Sequence, residues 1–240
     1  MNEASDVTAV ILAGGFGMRL RSVVSDRPKV LALIGERPFL SYHLDQLNEM
    51  GIEQVIIATG YLGDMIQLTF GACYKSIQIV YSQETVPLGT GGALKYAEKL
   101  FRSEHILVMN GDSYCDTNIS KFWRWHLEKK SLASLLLIHI SNIGRFCYVE
   151  TKPDGQITCF HEKTMLNQPG WINAGIYLFS SSLIGSLPEN KTISLEKDLF
   201  PQWLDKGIYA YKSEGRFIDI GIPEDYARAG DFFSAISHRR

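Results

Sequence analysis

The stretch Val10–Gly35, VILAGGFGMRLRSVVSDRPKVLALIG, decides how the rest of the chain is read. It begins inside an apolar strand, Thr8 to Leu12, and breaks into Gly14, Gly15 and Gly17, with Arg19, Arg21, Arg27 and Lys29 close behind. A glycine-rich turn leaving a buried strand lets backbone N–H groups approach an anion with no Cβ in the way. Three arrangements share that logic. The P-loop requires G-x-x-x-x-G-K-[ST], a string this chain lacks. The dinucleotide fingerprint requires G-x-G-x-x-G; Gly15 and Gly17 fit, but Leu20 stands where the third glycine belongs. The third arrangement sets basic side chains directly after the loop, where they neutralise a triphosphate attacked at its α-phosphorus.

Working outward, the bulk properties agree with a local anion site. The chain has 240 residues, 45% hydrophobic and 21% charged, enough apolar material for a sizeable core. Its formal net charge of −2 argues against nucleic acid or an anionic membrane as partner, so the positive charge near the N-terminus is local. Cys73, Cys115, Cys147 and Cys159 have no C-x-x-C spacing, which leaves zinc and dithiol chemistry unsupported and points to a reduced, cytoplasmic compartment. Met1 to Thr8 is polar and acidic, unlike the start of a signal peptide. The apolar runs fall short of the roughly twenty residues needed to cross a bilayer. The histidines are scattered, none paired at ligand spacing, and are read as structural or surface groups.

Strands are expected at Thr8–Leu12, Gln54–Thr59, Ile77–Tyr81 and His105–Met109, alternating with helices at Pro38–Met50, Leu62–Phe70 and Gly92–Phe101. This alternation predicts an α/β fold, a Rossmann-like mixed, mostly parallel sheet flanked by helices on both faces. The second half adds a long strand at Leu132–Ile140, a hairpin around Pro153-Asp154-Gly155 and a strand at Trp171–Phe179. A helix at Leu195–Lys206, short strands at Tyr209–Tyr211 and Arg216–Ile220, and a last helix opened by Pro223 follow. With no linker-like tract, residues 1–240 are expected to form a single domain, nucleotide-binding in its first half.

LAGGFGMRL, Leu12 to Leu20, resembles the L-A-G-G-x-G-T-R-L signature of the sugar-1-phosphate nucleotidylyltransferases, and Pro28-Lys29 resembles the proline-lysine that follows it in that family. The resemblance continues through PLGTGGA (Pro87–Ala93), NGD (Asn110–Asp112), Glu162-Lys163, NAGIYLF (Asn173–Phe179) and IDIGIPEDY (Ile218–Tyr226). These strings span almost the whole chain in the family's order. The resemblance implies the nucleotide-diphospho-sugar transferase fold and a reaction in which a sugar 1-phosphate attacks a nucleoside triphosphate and releases pyrophosphate.

It also implies roles. Leu12, Ala13, Gly14, Gly15 and Gly17 would line the nucleotide phosphates, with Pro87, Gly89 and Thr90 on the nucleotide side. Arg19 would grip the β- and γ-phosphates, and Lys29 the α-phosphate. Asp112 and Asp219, each following a short apolar stretch, would form a two-carboxylate Mg²⁺ site, in keeping with the preference of Mg²⁺ for hard oxygen ligands. Glu162, Lys163, Asn173 and Gly175 would bind the sugar phosphate, with Trp171 more suited to the core. Arg21 and Arg27 read as solvated charges, Asp116 and Asp225 as poorer metal ligands.

The base is read from Glu84, five residues before Gly89, where related enzymes carry a glutamine that reads a pyrimidine. A carboxylate only accepts hydrogen bonds, and guanine alone offers two adjacent donors. GTP is therefore the expected nucleotide, unless a one-residue shift puts Gln83 in that place. RLRSVVSDRPK and DIGIPEDY most resemble the short guanylyltransferases that activate D-glycero-α-D-manno-heptose 1-phosphate for capsule or surface-polysaccharide synthesis. Mannose 1-phosphate is the nearest alternative, then a UTP- or dTTP-using hexose-1-phosphate enzyme. Met18 for threonine, Cys147 for glycine and Thr164 for proline depart from the family, the last two on the acceptor side. A non-catalytic nucleotide-sugar sensor would be expected to lack Arg19, Lys29, Asp112 or Asp219, all of which are present. The oligomeric state, a homodimer included, stays open.

Overall fold

Val7–Leu12 forms β1, apolar on both faces because both faces are covered. In the computed structural model, which describes residues 6–161 and 167–237, Ala9 and Ile11 enter one core and Val10 the opposite one. The strands that follow in the first half are β2 (Leu33–Ile34), β3 (Arg37–Pro38), β4 (Gln54–Thr59), β5 (Cys73–Tyr74), β6 (Ile77–Gln83), β7 (His105–Asn110) and β8 (Ser113–Asp116). Those of the second half are β9 (Ala133–Ile140), β10 (Tyr148–Thr151), β11 (Ile157–His161), β12 (Gly170–Ser180), β13 (Tyr209–Ser213) and β14 (Arg216–Asp219). The α-helices are α1 (Leu40–Met50), α2 (Gly63–Phe70), α3 (Gly89–Ala97), α4 (Ile119–Lys129), α5 (Ser181–Gly185), α6 (Phe200–Trp203) and α7 (Pro223–Ser237).

The main sheet runs β11-β10-β12-β7-β1-β4-β6-β5, with β9 pairing β12 and β13. β7, β1, β4 and β6 are parallel neighbours, whereas β12 lies antiparallel to β7 and β9, so the sheet is mixed as expected. The parallel strands end together: Leu12 stands opposite Asn110 on one side and Ala58 on the other. Ligands of open α/β sheets collect beyond such carboxyl ends, and each strand here hands its chain to a loop of the candidate site.

α1 forms because Leu40, Leu44 and Leu47 recur on one face, all fully buried, and Gly51 closes it at φ 84° with its N–H on the Asn48 and Leu47 carbonyls. Burying each such leucine stabilises the fold by roughly 2 kcal/mol. Two expectations required correction. α3 begins at Gly89, not Gly92, although Gly-Thr-Gly-Gly is a poor helix sequence. Packing overrides propensity there: a Cβ on Gly91 would sit 2.8 Å from Leu199 and one on Gly92 2.5 Å from the Lys191 carbonyl. The region between NGD and Leu132, given no element from the sequence, holds β8 and α4, the latter capped by Asn118, whose side chain accepts the Lys121 N–H.

Candidate active site

The loop leaving β1 turns sharply at Gly17, whose φ of 60° suits glycine, and enters a single 3₁₀ turn, Met18–Leu20. Leu20 is buried and pins that turn to the apolar cluster around Phe39 and Phe233, which leaves Arg19 facing the cleft. A second 3₁₀ turn, Lys29–Leu31, follows Pro28 and buries Val30 and Leu31, so the Lys29 side chain is held against the first loop. Between them lies a cavity of about 490 Å³ at the carboxyl ends of β1, β4, β6 and β7. Its wall includes Leu12, Ala13, Gly14, Gly15, Gly17, Arg19, Lys29, Glu84, Pro87, Gly89, Thr90 and Asp112. Every nucleotide-side residue singled out from the sequence thus borders one space.

The charged end of that space is a cluster of acids and cations. Lys29 Nζ donates to Asp112 Oδ2 at 2.9 Å and lies 3.5 Å from Asp219 Oδ1. Asp219 Oδ1 also accepts the Gly221 N–H at 2.6 Å. A Cβ on Gly221 would fall 2.7 Å from Asp219 Oδ1, 3.1 Å from Lys29 Nζ and 3.3 Å from Arg19 Nη2, so the absent side chain leaves the space in which these groups meet. Burial raises the Asp112 carboxyl, but the Lys29 ammonium outweighs it and holds the group below the usual aspartate value. Asp219 moves the other way, raised by burial and then by the neighbouring Asp112 charge. Two carboxylates with opposed shifts and one ammonium between them form a strongly polarised pair.

The backbone beneath Asp112 is tied from below. His43, fully buried, places Nε2 2.7 Å from the Ser113 carbonyl, which can only accept, so that nitrogen carries the proton. Burial keeps this imidazole neutral by lowering its pKa. Gln46 Nε2 donates to the Cys115 and Thr117 carbonyls from the next turn of α1. Asp219 is brought opposite by β14, which pairs antiparallel with β8 and sets Asp219 against Ser113.

At the other end, Glu84 leans on the glycine loop: a Cβ on Gly14 would lie 3.1 Å from Glu84 Oε1, and one on Gly60 2.9 Å from it. Its Oε2 accepts the Leu88 N–H at 3.2 Å. Burial raises its pKa, and that hydrogen bond partly offsets the shift. Gln83, the alternative base reader, turns away and donates to Asp64 at 3.0 Å. Arg21 and Arg27 are also committed elsewhere, Arg21 over the Tyr61 ring at 4.8 Å and Arg27 to Asp26.

The acceptor side divides. Glu162 and Lys163 fall outside the described residues. Asn173 and Gly175 sit in an irregularity of β12 between Asn173 and Tyr177, with Gly175 at φ 73°. Both ends of the Asn173 amide are engaged inside this bulge: Nδ2 donates to the Tyr177 hydroxyl and Oδ1 accepts the Gly175 N–H, each at 2.9 Å. The bulge packs on the cavity wall, for a Cβ on Gly175 would lie 3.0 Å from Asn110. Asp225, buried at the start of α7, pairs with Arg145 and Arg228 and is not part of the acid pair. Trp171 is half-buried, edge-on to His139 and under the Lys212 ammonium.

Residues 8–235 match the family described as Nucleotidyl transferase. The D-glycero-alpha-D-manno-heptose 1-phosphate guanylyltransferase of Aneurinibacillus thermoaerophilus is 40% identical over 92% of this chain and 96% of its own length. The chain belongs to the nucleotidyl transferase family. Mannose-1-phosphate guanylyltransferase of Mycobacterium tuberculosis is 32% identical over 92% of this chain and 63% of its own. The solved structure of HddC from Yersinia pseudotuberculosis complexed with GMP-PN superposes with a TM-score of 0.83 at 33% identity, covering 94% of this chain and 99% of that one.

Three parts of this nucleotidyl transferase site escaped sequence reasoning. Glu196 and Asn110 border the cavity, yet SLEKD reads only as the opening of a helix and Asn110 only as a member of the NGD string. The signal available was Ser194, which caps the turn that aims Glu196. Gly221, inside IDIGIPEDY, shows its purpose only when Arg19, Lys29 and Asp219 meet at it. Among the described residues no group of three or more His, Cys, Asp or Glu side chains converges; Asp112 and Asp219 come together as a pair about the Lys29 ammonium.

Proposed function

We propose that this chain is a guanylyltransferase that joins GTP to D-glycero-α-D-manno-heptose 1-phosphate, giving GDP-heptose and pyrophosphate. The observation that carries the reading is the cavity itself: a glycine loop with Arg19 and Lys29 on one side of it and the Glu84 carboxylate packed against Gly14 on the other. The similarity to the heptose-phosphate enzymes supports the choice of acceptor. An oxygen of the sugar phosphate attacks the α-phosphorus, a new P–O bond forms, and the bond to the β-phosphate oxygen breaks with its electron pair leaving on pyrophosphate. Arg19 holds the departing β- and γ-phosphates. Lys29 offsets charge at the α-phosphate, a preorganised electrostatic contribution of the kind that dominates when charge develops at a fixed place. Glu84 accepts from the two adjacent donors of guanine.

The donor set fits a divalent cation of the Mg²⁺ kind: two hard carboxylates share one small space, and a phosphate oxygen and water would complete the shell. Asp112 and Asp219 would hold it, where it supplies Lewis-acid neutralisation of phosphate charge. Mannose 1-phosphate is the second acceptor, favoured by the 32% identity to the mycobacterial enzyme. The test is pyrophosphate release with GTP, UTP, CTP, dTTP and ATP against both sugar phosphates, each with Mg²⁺ and with EDTA. Turnover with GTP and the heptose phosphate, lost in EDTA, is the expected result. A clear UTP or dTTP preference, or no turnover with any pair, refutes it.

A further inference from the structure

The glycine loop holds an anion only if it keeps its shape while its amides stay free. Among the described residues the N–H groups of Gly15, Phe16 and Gly17 donate to no backbone carbonyl, so main-chain hydrogen bonding does not fix this stretch. A side chain from behind the cavity reaches it instead. Tyr61, in the turn between β4 and α2, stands 5.4 Å from the Phe16 ring, centroid to centroid, and its face lies 4.8 Å from the Arg21 guanidinium. Phe16 and Arg21 flank Gly17 and Arg19 in the chain, so one ring takes hold on both sides of the segment that carries the loop's cation.

The turn that presents Tyr61 is itself over-determined. The Gly63 N–H donates to the Gly60 carbonyl at 3.0 Å, and Leu62 is held at φ 55°, a left-handed conformation that a bulky side chain adopts only under constraint. Gly60 packs on the start of the glycine loop, for a Cβ there would fall 3.1 Å from the Gly14 carbonyl oxygen. Tyr61 and Phe16 are 39% and 47% exposed, so the core places neither ring. Their packing is nonetheless close, leaving a recess of about 10 Å³ bordered by Phe16, Gly17, Arg21 and Tyr61.

We infer that Tyr61 is a positioning residue for the nucleotide: its ring clamps Phe16 and Arg21 and thereby holds Gly17 and Arg19 in the phosphate-binding shape. Its side chain does not border the cavity, so it acts through the loop. This rests on the reading of that cavity as a triphosphate site. A loop held in shape for only part of the time binds phosphate with an affinity reduced by the same fraction. An aromatic pair and a partly exposed cation–π contact together correspond to roughly a 5- to 50-fold change in that fraction.

Isothermal titration calorimetry of pyrophosphate with Mg²⁺ against wild type, Tyr61→Phe and Tyr61→Ala reads the loop without requiring turnover. Tyr61→Phe keeps the ring and should match wild type within about two-fold, whereas Tyr61→Ala should bind roughly 5- to 50-fold more weakly. In steady-state kinetics Tyr61→Ala should raise KM for GTP by a similar factor and leave KM for the heptose 1-phosphate unchanged. Arg21→Met should weaken pyrophosphate binding roughly 2- to 5-fold in the wild-type background and by no further factor beside Tyr61→Ala, because the cation acts through the ring. Equal losses in both backgrounds would put Arg21 on the phosphate itself and overturn the clamp. A lower Tm for Tyr61→Ala with unchanged affinity, the mark of packing alone, also overturns it. Should Tyr61→Ala fail to fold, Tyr61→Leu fills the space without a π face and should lose the cation–π share, roughly 2- to 5-fold; unchanged affinity there is a refutation too. A wild type that binds neither pyrophosphate nor GTP refutes the triphosphate reading and this inference with it. A wild type that binds both, matched by Tyr61→Ala, refutes this inference alone.

Discussion

Lys29→Met keeps the length of the alkyl chain and removes only the ammonium, so it isolates the charge at the centre of the acid pair. Contacts of 2.9 Å to Asp112 and 3.5 Å to Asp219 are each worth about 5 kcal/mol of gross Coulomb attraction at an effective dielectric near 20. Desolvation of the partners cancels most of this, and removing one member of a fully buried pair costs about 3–5 kcal/mol net. Solvent reaches Asp112, whose side chain is 45% exposed, which brings the expected loss to about 2 kcal/mol. For a domain of this size that lowers Tm by roughly 4–8 °C. Turnover should fall further, by roughly 10²–10³, as for other preorganised charge stabilisers. Left without a counter-charge, the two acids should also hold Mg²⁺ more tightly, so added Mg²⁺ should raise the Tm of the variant more than that of wild type. Differential scanning fluorimetry with and without Mg²⁺, beside a pyrophosphate-release assay, reads all three effects. Full activity in the variant, or an identical Mg²⁺ response in both proteins, would refute the reasoning.

Glu84→Gln should reduce the preference for GTP over UTP roughly 10- to 100-fold, measured as the ratio of kcat/KM. Because burial raises Glu84 above its ordinary 4.5, ionising it costs stability as pH rises from 4.5 through the folded pKa; the glutamine variant should be at least as stable at neutral pH. In wild type KM for GTP should climb as pH falls into that window, and a flat profile would contradict the carboxylate's role. Gly221→Ala puts a methyl 2.7 Å from Asp219 Oδ1 and 3.1 Å from Lys29 Nζ, both ends of movable side chains. It should fold with a near-normal Tm yet lose more than about 90% of activity, the factor of ten that about 1.4 kcal/mol of lost transition-state stabilisation produces; retention of full turnover would count against the cluster. His126, buried beside Ser134, is lowered from 6.5 to about 4, so the native state resists protonation while the unfolded state accepts it. Stability should therefore decline by up to roughly 3 kcal/mol as pH falls from 6.5 to 4, and urea unfolding of His126→Leu should show a shallower decline.

Elements whose cause is local can be read from residue order. β1, β4 and α1 are legible because uninterrupted or helically spaced apolar residues admit few other outcomes, and Gly17 and Gly51 mark turns that need positive φ. The motifs that carry the family resemblance hold the residues that line one cavity wall, and with them Lys29, Asp112 and Asp219. The rest depends on contacts between segments distant in the chain. The start of α3 depends on how closely Gly91 and Gly92 approach the 191–193 segment, a contact about a hundred residues away that no propensity encodes. The opposite pKa shifts of Asp112 and Asp219 depend on which acid takes the shorter contact with Lys29. Tyr61 acquired meaning only when Phe16 and Arg21 met at its ring, because contact between side chains is a property of neighbours in space.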